Sequence, residues 1–176
     1  WQPFSTTDAL SADTLLRVFL CSILLIPYPV LEEKAYNLFS LNAPAWSLFW
    51  EYMANIAYAF VFIRLQKNVL LLVILVAASA LLYAGYSYGD LLGGWSRDNW
   101  EVGGIRLLYS FSAGLWIYRK QWIIRHRLGW LLPAGMLLAA LHTPFTAHSW
   151  AVEALIILFA FPAIVSLGAG TTIPTG

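Results

Sequence analysis

Charge is scarce in this chain of 176 residues. Lys and Arg number ten, Asp and Glu nine, so 11% of positions are charged against about 25% in a soluble globular domain. A soluble domain of this length still needs a polar skin, and so few charges cannot supply one. Cysteine is all but missing. The single Cys21, set in an apolar run, rules out a disulfide scaffold. A net charge of +1 leaves no basic field for nucleic acid. What remains is 60% hydrophobic with a mean hydropathy of +0.70. That excludes disorder and a coiled coil and points to a multi-span membrane protein.

A helix needs about 20 apolar residues to cross a ~30 Å hydrocarbon core. Six segments are read as spans: about 14–30, 44–63, 68–88, 104–118, 128–145 and 149–167. The first ends at Pro27-Tyr28-Pro29, and Pro44 suits the first turn of the second. Pro133 and Gly135 are expected kink points in the fifth, and Pro162 lies inside the sixth. Continuous apolarity fits helices, whereas a spanning barrel alternates with period two. The expected fold is thus an all-α polytopic transmembrane bundle. The chain starts at Trp1 and stops soon after an apolar run, and it reads as an internal stretch, truncated at both ends, of a longer protein.

Basic residues set the orientation. Arg17, Arg64, Lys67, Arg119, Lys120, Arg125 and Arg127 fall on one side, and only Lys34, Arg97 and Arg106 on the other. The first side is therefore read as cytoplasmic, in an inner (cytoplasmic) membrane. The acids Glu32, Glu33, Asp90, Asp98 and Glu101 then face outward.

Polar groups inside apolar spans carry the functional information. Ser47, Glu51, Asn55 and Tyr58 follow one another at spacings of four, four and three, which places them on one helical face. Glu51 lies roughly 10 Å below the outer surface at 1.5 Å per residue. An ionised carboxylate at such a depth costs at least ~2.5–3.5 kcal/mol, so it faces a cavity, pairs with a cation or is protonated. The competing reading is a carboxyl that ties two helices together. Glu153 is one turn into the sixth span, where snorkelling or the helix dipole explains it. Arg106 opens the fourth span beside Gly103-Gly104, either to neutralise Glu51, to grip an anionic substrate or to anchor at the interface. His142 and His148, six apart, lack the spacing of a helical metal pair, and no metal site is expected. The outer loop from Gly89 to Gly103 combines tryptophans with polar groups and suits a sugar or an ordinary interface. The basic stretch Arg119–Arg127 suits phosphates or simply marks the cytoplasmic side.

Two segments are more specific. Asn42-Ala43-Pro44-Ala45-Trp46-Ser47-Leu48-Phe49-Trp50-Glu51 resembles the N-x-P-x-W-S-L-x-x-E signature of the integral-membrane acyltransferase 3 family, the O-antigen, peptidoglycan and Nod-factor O-acetylases. The stretch from Gly103-Gly104-Ile105-Arg106 through Ser110-Phe111 to Gly114 and Tyr118-Arg119 resembles that family's G-G-x-x-R-x-x-x-S-F-x-x-G-x-x-x-Y-R segment, with one residue rather than two between the glycine pair and Arg106. The resemblance implies a protein of about ten spans that moves an acyl group, usually acetyl, from acyl-CoA to a hydroxyl of an extracytoplasmic carbohydrate or cell-envelope glycan. It implies a catalytic histidine some ten residues after an arginine in the first span, a pair this chain does not carry, so the fragment alone is expected to be inactive. Glu51 is the expected catalytic carboxylate with Ser47 in support, and Asn55, Trp46, Arg106 and Arg119 are expected to bind substrate. Acyl-CoA would arrive on the cytoplasmic side, the glycan on the outer side, with no bound cofactor and no nucleic-acid partner. Two other classes compete: a secondary transporter or flippase fragment with Glu51 as the coupling site, and a non-catalytic membrane subunit.

Overall fold

A computed structural model describes residues 11–31, 35–144, 146 and 149–171. These residues are all-helical, and the one β contact among them is an isolated antiparallel bridge between Asn37 and Ser96. The helices are α1 (Ala12–Ile23), α2 (Ala45–Phe60, followed by a 3-10 turn, Phe62–Arg64), α3 (Lys67–Tyr88), α4 (Trp100–Lys120), α5 (Leu131–Leu141), α6 (Ser149–Leu155) and α7 (Phe161–Ala169). A π-helical turn, Ile156–Ala160, joins α6 and α7 into one rod.

Each expected span has a helix, with different bounds. The Ser11 side chain caps α1, accepting from the Thr14 N–H at 3.2 Å. That helix stops at Ile23, not Val30: Leu25 takes a left-handed φ of 53°, and a proline at 27 disfavours helical backbone at the residue before it. α4 begins at Trp100, four residues before the expected start, with Glu101 in its first turn where the dipole favours an acid. α5 covers only 11 residues, about 16 Å, and Pro133 is its third residue, where a missing N–H costs no intrahelical bond. The expected end of that span at Phe145 lies outside the described residues. Gly89 closes α3 with φ +80°, its N–H donating to Gly85 O at 2.9 Å.

Among the described residues two helices, Lys67–Tyr88 and Ser149–Ala169, are long and apolar enough to cross a membrane. α4 matches them in length, but Arg106 and several Gly, Ser and Tyr residues lower its hydropathy.

The core joins α3, α4 and α6. Ala77, Leu81 and Ala84 of α3 meet Val102, Tyr109 and Ala113 of α4, with Ala154 of α6 and Leu91 of the intervening loop. Alanines on α3 let the backbones approach closely. Away from this core, Leu72, Leu75, Val76, Tyr83, Leu138 and Phe159 are exposed.

Pro162 has no N–H for Leu158 O one turn back. Tyr109 of α4 reaches across and donates its hydroxyl to that oxygen at 2.8 Å. Tyr109→Phe keeps the ring and removes this bond. The expected loss is about 1 kcal/mol, read as a lower thermal midpoint with helical content unchanged by circular dichroism.

Candidate functional site at the α2–α4 junction

Trp46 and Trp50, one turn apart, turn the same side of α2 toward α4. The Trp50 Nε1–H donates to Gly94 O at 3.0 Å, and its ring stacks on Trp100 with centroids 6.0 Å apart and planes 10° from parallel. The same ring lies over Gly103 and Gly104: a Cβ at Gly103 would sit 2.5 Å from Trp50 Nε1. Gly94, with φ +118°, approaches so closely that its own Cβ would be 2.6 Å from Gly103 Cα. Only glycine fits either position. Trp46 receives the Arg106 guanidinium 5.9 Å from its ring centroid, within cation–π range. The two segments read together from the sequence are therefore in contact.

The loops before α2 and α4 brace this junction. Leu38 N–H donates to Trp95 O at 2.8 Å, and Arg97 N–H to Tyr36 O at 3.0 Å. Asn99 Oδ1 accepts from both Gly94 N–H and Ser96 N–H at 3.1 Å. Phe39 and Leu38 are buried beneath.

Arg106 is tied to a partner the sequence does not announce. Its guanidinium donates to Leu91 O, while Glu153 Oε2 of α6 accepts from Leu91 N–H at 2.7 Å. The backbone of one buried residue, Leu91, thus sits between a cation from α4 and an anion from α6. Glu153, read from sequence as an interfacial acid, is a docking residue for this loop. The signal in the sequence is an Arg and a Glu near the N-terminal ends of two helices. Glu153→Ala leaves the Leu91 N–H without an acceptor and is expected to cost about 1–3 kcal/mol. Glu153→Gln, which keeps an acceptor, loses less, and thermal unfolding in detergent distinguishes the two.

The Glu51 face is different. Ser47 Oγ donates to Pro44 O at 3.1 Å and Asn55 Nδ2 to Glu51 O at 2.8 Å. Both side chains satisfy the backbone of their own helix, as Ser and Asn do within helices, and they do not form the expected network on the Glu51 carboxylate. Glu51 is exposed, and among the described residues its carboxylate has no hydrogen bond or ion pair. Arg106 does not neutralise it.

Arg119, the other expected binding residue, donates to three carbonyls of the α2–α3 connection: Leu65 O and Phe62 O at 2.6 Å and Ile63 O at 3.3 Å. The basic segment after α4 lies along the end of α7. Ile124 N–H donates to Ser166 O at 3.1 Å, and His126 Nε2 lies 3.3 Å from Leu167 O. Gly170 admits this strand-like crossing, since a Cβ there would meet Ile124 O at 2.1 Å. Cations at the carbonyl end of a helix are electrostatically favourable. His142 Nδ1 is 2.8 Å from Leu138 O of its own helix, and His148 lies outside the described residues. Among the described residues no group of three His, Cys, Asp or Glu is placed to hold a metal.

No known protein family, curated protein or solved structure matches this chain.

Proposed function

We propose that this chain is part of a polytopic membrane O-acyltransferase, of the integral-membrane acyltransferase 3 type, in a cytoplasmic membrane. The observation that carries the reading is the junction itself. The segments resembling the two signatures of that family, Asn42–Glu51 and Gly103–Arg119, share no sequence neighbourhood, yet they pack on each other through Trp46, Trp50, Gly94, Gly103 and Arg106. The membrane part is supported by two helices of spanning length and by exposed apolar side chains along α3, α5 and the π turn, which a monomeric soluble protein rarely displays.

In the reaction, the acceptor hydroxyl attacks the thioester carbonyl of acyl-CoA. Its proton passes to a base, an oxyanion forms and collapses, and coenzyme A leaves as the thiol after taking up that proton. The base implied by the resemblance is a histidine outside the segments matched here. Glu51, on the open face of α2, would orient that base or bind the acceptor hydroxyl. Arg125 and Arg127, on the cation-rich side, would meet the phosphates of coenzyme A. Trp46 and Arg106 would hold the wall between the two substrates.

The test uses membranes carrying the full-length protein. Release of free coenzyme A thiol from acetyl-CoA, dependent on added envelope glycan, is the expected result. Proton-gradient-driven uptake with acetyl-CoA left intact would instead assign Glu51 to a transport cycle.

A further inference from the structure

Between α3, α4 and α7 lies a cleft of about 300 Å³, in the lower range of small-molecule sites. Leu71, Ala113, Trp116, Trp122, Ile124 and Ala163 form its walls. Of its two hydroxyls, that of Tyr109 serves Leu158 O and that of Ser166 is on a buried residue, which leaves the indoles of Trp116 and Trp122 in an otherwise apolar lining. The mouth is cationic. Lys120 Nζ lies 4.9 Å from the centroid of the Trp116 ring, itself a wall of the cleft. Segments 60–67, 118–130 and 166–171 meet at this end through the Arg119 and Ile124 bonds, and they hold Arg64, Lys67, Arg119, Lys120, Arg125 and Arg127 with no acid.

An apolar slot below a cation suits an amphiphile with an anionic head. We infer that the cleft holds one acyl chain of an anionic phospholipid of the cytoplasmic leaflet, with its phosphate at Lys120. Basic pockets between spanning helices on that side recognise such head groups. The assignment rests on the membrane-spanning reading but not on acyl transfer: a transporter or a structural subunit would bind the same lipid.

Native mass spectrometry of the purified chain in detergent tests it, with phosphatidylglycerol, phosphatidylcholine of the same chains, and palmitoyl-CoA as probes. The expected result is one retained phosphatidylglycerol, held in preference to phosphatidylcholine. Lys120→Gln, at an exposed position, is expected to cut that preference about fivefold, the equivalent of about 1 kcal/mol for one basic residue near a lipid surface. Ala163→Trp fills the slot and should abolish retention, with monodispersity and circular dichroism reporting that it has folded. Equal retention of both phospholipids by the wild type and Lys120→Gln, or no retained lipid, overturns the inference. Displacement of phosphatidylglycerol by palmitoyl-CoA gives the cleft to an acyl donor and overturns it equally.

Discussion

Glu51→Gln in the full-length protein is expected to lower acyl transfer at least about 100-fold while protein abundance stays at the wild-type level. The substitution preserves volume and removes only the charge. A carboxylate that orients or assists a base is worth between about 10² and 10⁴ in rate. Its effect on folding should be small, because the Glu51 side chain has no bond among the described residues, and Asn55 bonds the backbone oxygen that glutamine retains. Thus a drop in rate without a drop in thermal midpoint belongs to chemistry. Undiminished turnover in this variant would remove Glu51 from the mechanism. Steady-state transfer rates normalised to immunoblotted protein make the measurement.

Gly103→Ala is expected to destabilise the fold by about 3 kcal/mol, at the upper end of what overpacking usually costs. The new methyl group would lie 2.5 Å from Trp50 Nε1 and 2.8 Å from Gly94 Cα. The obstruction includes backbone, so a change of side-chain rotamer cannot relieve it. For a chain of this size the thermal midpoint should fall by roughly 6–12 °C. Gly114→Ala on the same helix provides the contrast. A Cβ there meets nothing within 4 Å, and alanine is a better helix former than glycine by about 1 kcal/mol. The first variant should melt early and the second slightly late, although both make the same chemical change in α4. Similar midpoints for the two would contradict the close α2–loop–α4 packing.

The helices were readable from the sequence because each apolar run has a physical terminator. Gly89 ends α3, and Pro44 precedes α2. The errors have equally specific causes. Leu24, Leu25 and Ile26 are as apolar as the helix before them, so hydropathy ran α1 on to Val30, whereas the restriction before Pro27 ends it. Trp100 and Glu101 look like loop residues by polarity, yet they form the first turn of α4.

Side-chain partners were harder to read than helices. A spacing of four places Ser47, Glu51 and Asn55 on one face but does not choose between a neighbouring side chain and the helix's own carbonyl. The carbonyl wins at both Ser47 and Asn55. The clasp of Arg106 and Glu153 on Leu91 spans 62 residues and depends on where a loop backbone settles. The basic segment was read as a topology signal, and its placement on the end of α7 depends on a crossing at Gly170 that no local pattern encodes. The meeting of the two signature-like segments was likewise not read from the sequence, although their residue types fit it. Tryptophans on one helix and paired glycines on the other are complementary shapes.

The most direct test of the account follows the acyl group across the bilayer. Sealed inside-out vesicles bearing the full-length protein are given acetyl-CoA labelled in the acetyl group on the outside, which is the cytoplasmic face, with envelope glycan trapped in the lumen. Transmembrane acyl transfer gives ester-linked label on the lumenal glycan and an equal amount of free coenzyme A outside. Intact labelled acetyl-CoA, with glycan or another solute moving across the vesicle wall in step with a proton gradient, would contradict it.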